Sequence, residues 1–222
     1  MKTAYRSRLP HIVPVGATFF VTFRLADSLP LPIVRELKIK MDTAIKRLQK
    51  EKPKGYKETI RRQRKLFFKC YDHQLDEQAF GACYLKQPAI AKIVEDKLHQ
   101  FDGDKYALQA YCIMPNHVHL LIDTSIQIID ENDLFLNEVP ADYTQLHQIM
   151  RLIKGGTAYT ANKQLNREHK FWQKDSYDHY VRDEREFWNI VQYILDNPVK
   201  AGLVEQWQDY PYTFVAPRLL EL

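Results

Sequence analysis

The sequence predicts an α+β fold in which one antiparallel sheet carries helices on one of its faces. Three observations predict it. Runs rich in aromatic and β-branched residues, as strands are, alternate with longer runs in which apolar residues recur at helical spacing. Two of the strand-like runs, Tyr106–Asn116 and His117–Thr124, follow each other directly, so a hairpin joins them. Once a basic segment is set aside, the elements read β–α–β–β–α–β–α, the split βαβ, ferredoxin-like order with a helix appended at the C-terminus.

Each element has a local reason. "ATFFVTFRL" (17–25) is dense in aromatic and β-branched side chains and reads as a buried strand; "DSLPLP" ends it with two prolines. From Ile33 to about Leu48, Val34, Leu37, Ile45 and Leu48 recur at helical spacing among Lys and Arg. "EKPKG" interrupts, and a second charged helix runs from Tyr56 to about Tyr71. The two form a basic helical insertion at about 33–72 within a single domain, 1–222. "AIAKIVEDKLHQF" (89–101) places Ile90, Ile93, Val94 and Leu98 on one side of a helix. Pro115-Asn116 supplies the turn between the two hairpin strands. A polar, acidic connection covers 125–141, and 142–165 predicts a long helix. Its Gly155-Gly156 pair must kink it, break it or admit a close neighbour. "NREHKFWQKDSYDHYV" returns as loop and short strand. "RDEREFWNIVQYILDNPVKAG" opens on acidic residues, carries Phe187, Ile190, Val191, Ile194 and Leu195 inward, and stops at Asn197-Pro198. The closing "EQWQDYPYTFVAPRLLEL" is either a tail over the functional site or plain packing.

The chain's 222 residues suffice for one sizeable core, and its formal charge of +4 is mild. The distribution of charge says more. Ala44 to Lys69 holds eleven Lys/Arg against two Glu, which leaves the remainder net acidic. That segment is either a surface for a polyanion or a solvated pair of helices. Three cysteines without a CxxC spacing argue against a disulfide framework or a zinc ribbon and fit a reducing cytoplasm. No run approaches the ~18 apolar residues of a membrane span, so a soluble protein is expected.

The chemistry concentrates in "MPNHVHLL" (114–121). Along a strand, residues two apart share a face, so His117 and His119 project together and can ligate one divalent metal. Ordinary hydrogen-bonded histidines explain the pair as well. Two ligands are too few, and the last helix offers more. Tyr193 and Asn197 stand one turn apart on one face, a phenol able to act as a nucleophile and a carboxamide oxygen able to bind a hard cation. A core-edge tyrosine and a helix cap are the plainer alternative.

"MPNHVHLLI", "FWQKDSYDHYVRDEREFW" and "YILDNPVKAGLV" together resemble the single-tyrosine HUH transposases, and more narrowly the REP-associated tyrosine transposases of bacteria. The opening strand, the stretch 82–122 and "LIKGGTAYTANKQLNREHKFWQKDSYDH" are similar to that family too, so the resemblance covers nearly the whole chain outside the basic segment and parts of 125–141. It implies a ferredoxin-like catalytic domain in the bacterial cytoplasm, nucleoid-associated when bound to DNA, that cuts and rejoins single-stranded DNA bearing hairpins. It also implies Mg2+ or Mn2+ on His117 and His119, Tyr193 as the nucleophile that forms a 5′-phosphotyrosine, Asn197 as the third ligand, and a monomer in preference to a dimer, the form in which some relatives swap the tyrosine helix. Related insertion-sequence enzymes usually carry Gln where this chain has Asn197, one methylene shorter. Tyr177 and Tyr180 are competing nucleophiles, placed before the helix and without a ligand four residues on. A nuclease that uses water and a non-catalytic binder of structured nucleic acid stay open as alternatives. DNA contacts are expected from Lys46, Arg47, Arg61, Arg62, Arg64 and Lys65, and from Lys154, Thr157 and Arg182.

Overall fold

A five-stranded antiparallel sheet organises the computed structural model, which describes residues 2–3, 13–77, 80–128, 140 and 142–221. In chain order the elements are β1 (Lys2–Thr3), β2 (Val13–Pro14), β3 (Thr18–Arg24), α1 (Leu31–Glu51), α2 (Tyr56–Asp76), α3 (Pro88–Gln100), β4 (Ala107–Ile113), β5 (His117–Asp123), α4 (Leu146–Gln164), β6 (Tyr177–Tyr180), α5 (Glu184–Lys200) and β7 (Thr213–Val215). β1 and β2 pair with each other. The main sheet has the order β6-β3-β5-β4-β7, every pair antiparallel. Its first four strands are in the order the split βαβ reading expects, with β5 lying between β3 and β4.

The period of two along each strand divides the core into two layers. Phe19, Val21 and Phe23 of β3 and Val118, Leu120 and Ile122 of β5 face α3 and α4, meeting Ile90, Val94, Leu98, Ile149 and Ile153. Phe20 and Leu121 face the other way, toward Val191, Ile194 and Leu195 of α5 and toward Phe68 of α2. The expected single helical face thus describes α3 and α4, whereas α5 and the end of α2 cover the opposite face. A bulge between Leu108 and Ala110 keeps β4 in step. It turns Leu108 and Tyr111 to the first layer and Ala110 and Cys112 to the second.

Several boundaries differ from those the sequence suggests. The basic insertion is a helical hairpin with a small core of its own, Leu29, Met41, Phe67, Tyr71 and Leu75. Its second helix continues past Tyr71 to Asp76. The Gly155-Gly156 pair neither breaks nor kinks α4 out of its helix, and a Cβ at Gly156 would come within 2.6 Å of Lys97 Cε, so the pair admits a close neighbour. α5 runs through Pro198 to Lys200, because proline's missing N–H is tolerable in a last turn that the amides of Ala201, Gly202 and Leu203 close by bonding back to Asn197, Val199 and Pro198. The C-terminal segment supplies an edge strand: β7 pairs with β4, and Ala216 N bonds Gln109 O at 2.8 Å. Most of the acidic connection, 129–139 and 141, lies outside the described residues. Among the described residues no helix is long and apolar enough to cross a membrane.

Candidate metal and nucleophile centre

β5 begins at His117, so both histidines sit in the middle of the sheet on the face that α5 covers. Both are fully buried. In the sheet register His119 stands between Thr22 on β3 and Cys112 on β4. Thr22 Oγ1 lies 2.9 Å from His119 Nδ1, and Asn116 Oδ1 lies 2.7 Å from His117 Nδ1. A carboxamide oxygen can only accept, so His117 carries its proton on Nδ1 and presents a lone pair at Nε2. Asn116 is itself pinned by its Nδ2, which donates to Leu75 O at 2.9 Å. The two Nε2 atoms converge to 3.0 Å. Burial, followed by the neighbouring imidazole, holds His117 well below its ordinary pKa, and burial holds His119 at about 3. Both rings are therefore neutral, as metal ligands must be.

α2 then contributes what the sequence reading missed. Asp72, 4% exposed, places Oδ1 3.3 Å from His119 Nε2 and 3.9 Å from His117 Nε2. Asp76 Oδ1 lies 3.8 Å from His117 Nε2. Burial raises Asp72 to about 6 and Asp76 to about 7, and in Asp76 the charge of Asp72 adds to the effect. Asp72, His117 and His119 together have the spacing of a metal-binding triad. The signal for the two aspartates was their spacing of four residues, which puts them on one helix face once α2 continues past Tyr71 to Asp76.

α5 closes the site from the other side. The Tyr193 hydroxyl donates to Asp72 Oδ2, so a single carboxylate faces the imidazole pair with one oxygen and the phenol with the other. Burial and then the Asp72 charge push the Tyr193 phenol above its ordinary pKa. Asn197 is buried one turn later, and its Oδ1 has no hydrogen-bond partner. Asp72 Oδ1 and Asp76 Oδ1 are likewise buried without one. Three orphaned oxygens and two converging imidazole nitrogens are a costly arrangement in a protein interior unless a cation satisfies them. The donor set therefore fits a divalent metal, and it mixes hard oxygen ligands with imidazole.

The remaining sequence candidates are dispersed. Lys46, Arg61, Arg64, Lys65 and Arg182 line a cavity of about 550 Å³ that opens beside Tyr193. Arg47 is paired with Glu51 at 2.9 Å, and neither it nor the exposed Arg62 lines that cavity. Lys154 and Thr157 are engaged within the fold. Lys154 Nζ donates to Gln173 O, Lys174 O and Ser176 Oγ, and buried Thr157 accepts from Trp172 Nε1 at 2.8 Å. Tyr177 stacks on Phe68 with centroids 4.4 Å apart, and Tyr180 packs against the opposite core layer. Of the three tyrosines, Tyr193 is the one hydrogen-bonded into the cluster.

No family model matches the chain. A protein of Haemophilus influenzae, provisionally named a REP-associated tyrosine transposase, is 35% identical over 104 residues, 47% of this chain and 56% of the relative. An uncharacterized protein of the same organism is 34% identical over 110 residues, 46% of this chain and 58% of its own length. The matched stretches thus span little more than half of these relatives. The solved structure of a REP-associated tyrosine transposase bound to a REP hairpin aligns with a TM-score of 0.53 over 94% of this chain and 82% of that one, at 16% identity, a likeness of fold. Over about half its length in sequence and nearly all of it in fold, the chain resembles the REP-associated tyrosine transposases.

Proposed function

We propose that the protein cleaves and rejoins single-stranded DNA that bears hairpins, through a covalent bond between Tyr193 and a 5′-phosphate. The observation that carries the reading is the junction at Asp72: one oxygen toward the His117–His119 pair, the other holding the Tyr193 hydroxyl. The named relative and the hairpin-bound neighbour support DNA of this kind as substrate. His117, His119, Asp72 and Asn197 would hold Mg2+ or Mn2+, which when bound supplies Lewis-acid stabilisation of charge on the scissile phosphate. Tyr193 Oη attacks phosphorus in line. The Oη–P bond forms, the P–O3′ bond breaks, and the proton lost by the phenol is balanced by the one gained at the departing 3′-oxygen. The phosphotyrosine keeps the energy of the phosphodiester, so a 3′-hydroxyl can later reverse the step with no nucleotide cofactor. Asp72 holds the phenol at the site, and the half-buried Tyr193 ring packs edge-on against Phe20 and at a tilt against Phe68.

The test is a covalent adduct on a denaturing gel after incubation with Mn2+ and hairpin-bearing single strands. Wild type forms it and Tyr193→Phe does not. An adduct with Tyr193→Phe moves the nucleophile elsewhere, and cleavage without any adduct identifies a nuclease that uses water.

A further inference from the structure

The cavity beside Tyr193 has a chemistry that the metal centre does not explain. One wall is the α1–α2 hairpin and the other is β6 with the first turns of α5. Its floor is aromatic: Phe68 lies in near-parallel contact with Tyr177, and Phe20 meets Phe68 edge-on at 5.5 Å. Its rim is cationic. Six Lys and Arg side chains line the cavity against three carboxylates, Asp42, Asp178 and Glu186. Glu186 is already shared among His179 at 3.1 Å, Lys65 at 3.6 Å and Arg182 at 3.7 Å. Lys46, Arg64 and Lys69 make no ion pair among the described residues, so positive charge on the rim is left for a ligand. An aromatic floor with unpaired cations at Lys46, Arg64 and Lys69 on its rim suits a ligand made of planar rings joined by phosphates. The volume of about 550 Å³ is of the size that binding sites for small ligands have, enough for a base and its sugar rather than for a duplex.

We infer that this groove binds an unpaired nucleotide of the substrate strand beside the scissile phosphate, its base against Tyr177 and Phe68 and its phosphate at Arg64. The inference rests on the proposed function for the identity of the strand. It gives the basic hairpin two roles, since α2 carries Arg64 and Phe68 to the groove and Asp72 to the metal centre. Base stacking tolerates any sequence, so the groove positions the strand without reading it.

The probe is a G·C hairpin with an oligothymidine flank in which 2-aminopurine replaces one thymidine at a time, titrated in EDTA so that no strand is cut. Wild type quenches the fluorophore at one flank position. Tyr177→Ala abolishes the quench and weakens binding of the flanked hairpin about tenfold, while the unflanked hairpin binds as before. Tyr177→Phe keeps the ring and keeps the quench, which separates stacking from a folding defect. Arg64→Ala, on a helix surface, lowers the slope of log K against log salt by about 0.7, the value for one phosphate of a single strand. Binding with no quench at any flank position overturns the inference, as does a quench that survives Tyr177→Ala. It then leaves a surface for polyanions, or for a second copy of the chain if the protein self-associates. Failure to bind the unflanked hairpin overturns the hairpin reading instead, and a quenched flank would in that case still support the groove.

Discussion

At the scale of single residues, Asp72 and Asn116 matter as much as the histidines. Asp72 ties the phenol to the imidazole pair, and Asn116 fixes the tautomer of His117 while gripping the end of α2 through Leu75 O. Outer partners of this kind set ligand basicity and orientation. Asn116→Ala is therefore expected to weaken Mn2+ binding about 10- to 100-fold by isothermal titration. Asp72→Asn, which removes a ligand charge, should weaken it at least as much; unchanged affinity in Asp72→Asn would take α2 out of the metal site. Asp76 makes a prediction in pH. Its carboxyl titrates near 3.8 in an unfolded chain and at about 7 in the metal-free fold. The folded state thus holds the extra proton between those values, and the stability this supplies is full below about pH 4 and lost as pH rises through about 7. Between about pH 6 and about pH 8 the melting temperature of metal-free wild type should fall relative to that of Asp76→Asn. The two histidines act with the opposite sign, since their depressed pKa values cost stability as pH falls below about 6.5; both proteins carry that cost, so the comparison with Asp76→Asn removes it.

At the scale of elements, α4 and α5 show opposite uses of helix chemistry. Gly155 is exposed in the middle of α4, and a Cβ there meets nothing within 4 Å. Gly155→Ala should stabilise the protein by about 1 kcal/mol, which for a chain of this size is roughly 2–4 °C in a thermal melt. A loss of stability would mean that the glycine serves an approach the fold does not show. α5 starts on Asp183, whose side chain accepts from Glu186 N at 2.8 Å. Asp183→Ala should cost about 1 kcal/mol and loosen the helix that carries Tyr193 and Asn197. The α1–α2 hairpin lines the groove and also carries Asp72 and Asp76. Deleting it to test DNA binding would also delete Asp72 and Asp76, so point substitutions at the groove are the cleaner probe.

At the scale of the molecule, three separately built pieces meet at one point: the sheet centre, the base of the helical hairpin and the last helix. A cation bound there joins all three, so Mn2+ should slow amide hydrogen exchange in the last turns of α2 and in α5 together. Protection confined to β5 would mean that the histidines bind alone. The sequence by itself determined the split βαβ order, the paired projection of His117 and His119, and the shared face of Tyr193 and Asn197. Those follow from periods of 2 and 3.6, which are properties of the local chain. Tertiary structure decided that β7 extends the sheet, that α2 reaches Asp76, and that Asp72 bonds to a tyrosine 121 residues away. No local period encodes such a contact. It exists because the hairpin's own core of Met41, Phe67, Tyr71 and Leu75 docks the helix where its one acidic turn, inconspicuous in a basic segment, is buried against the imidazoles.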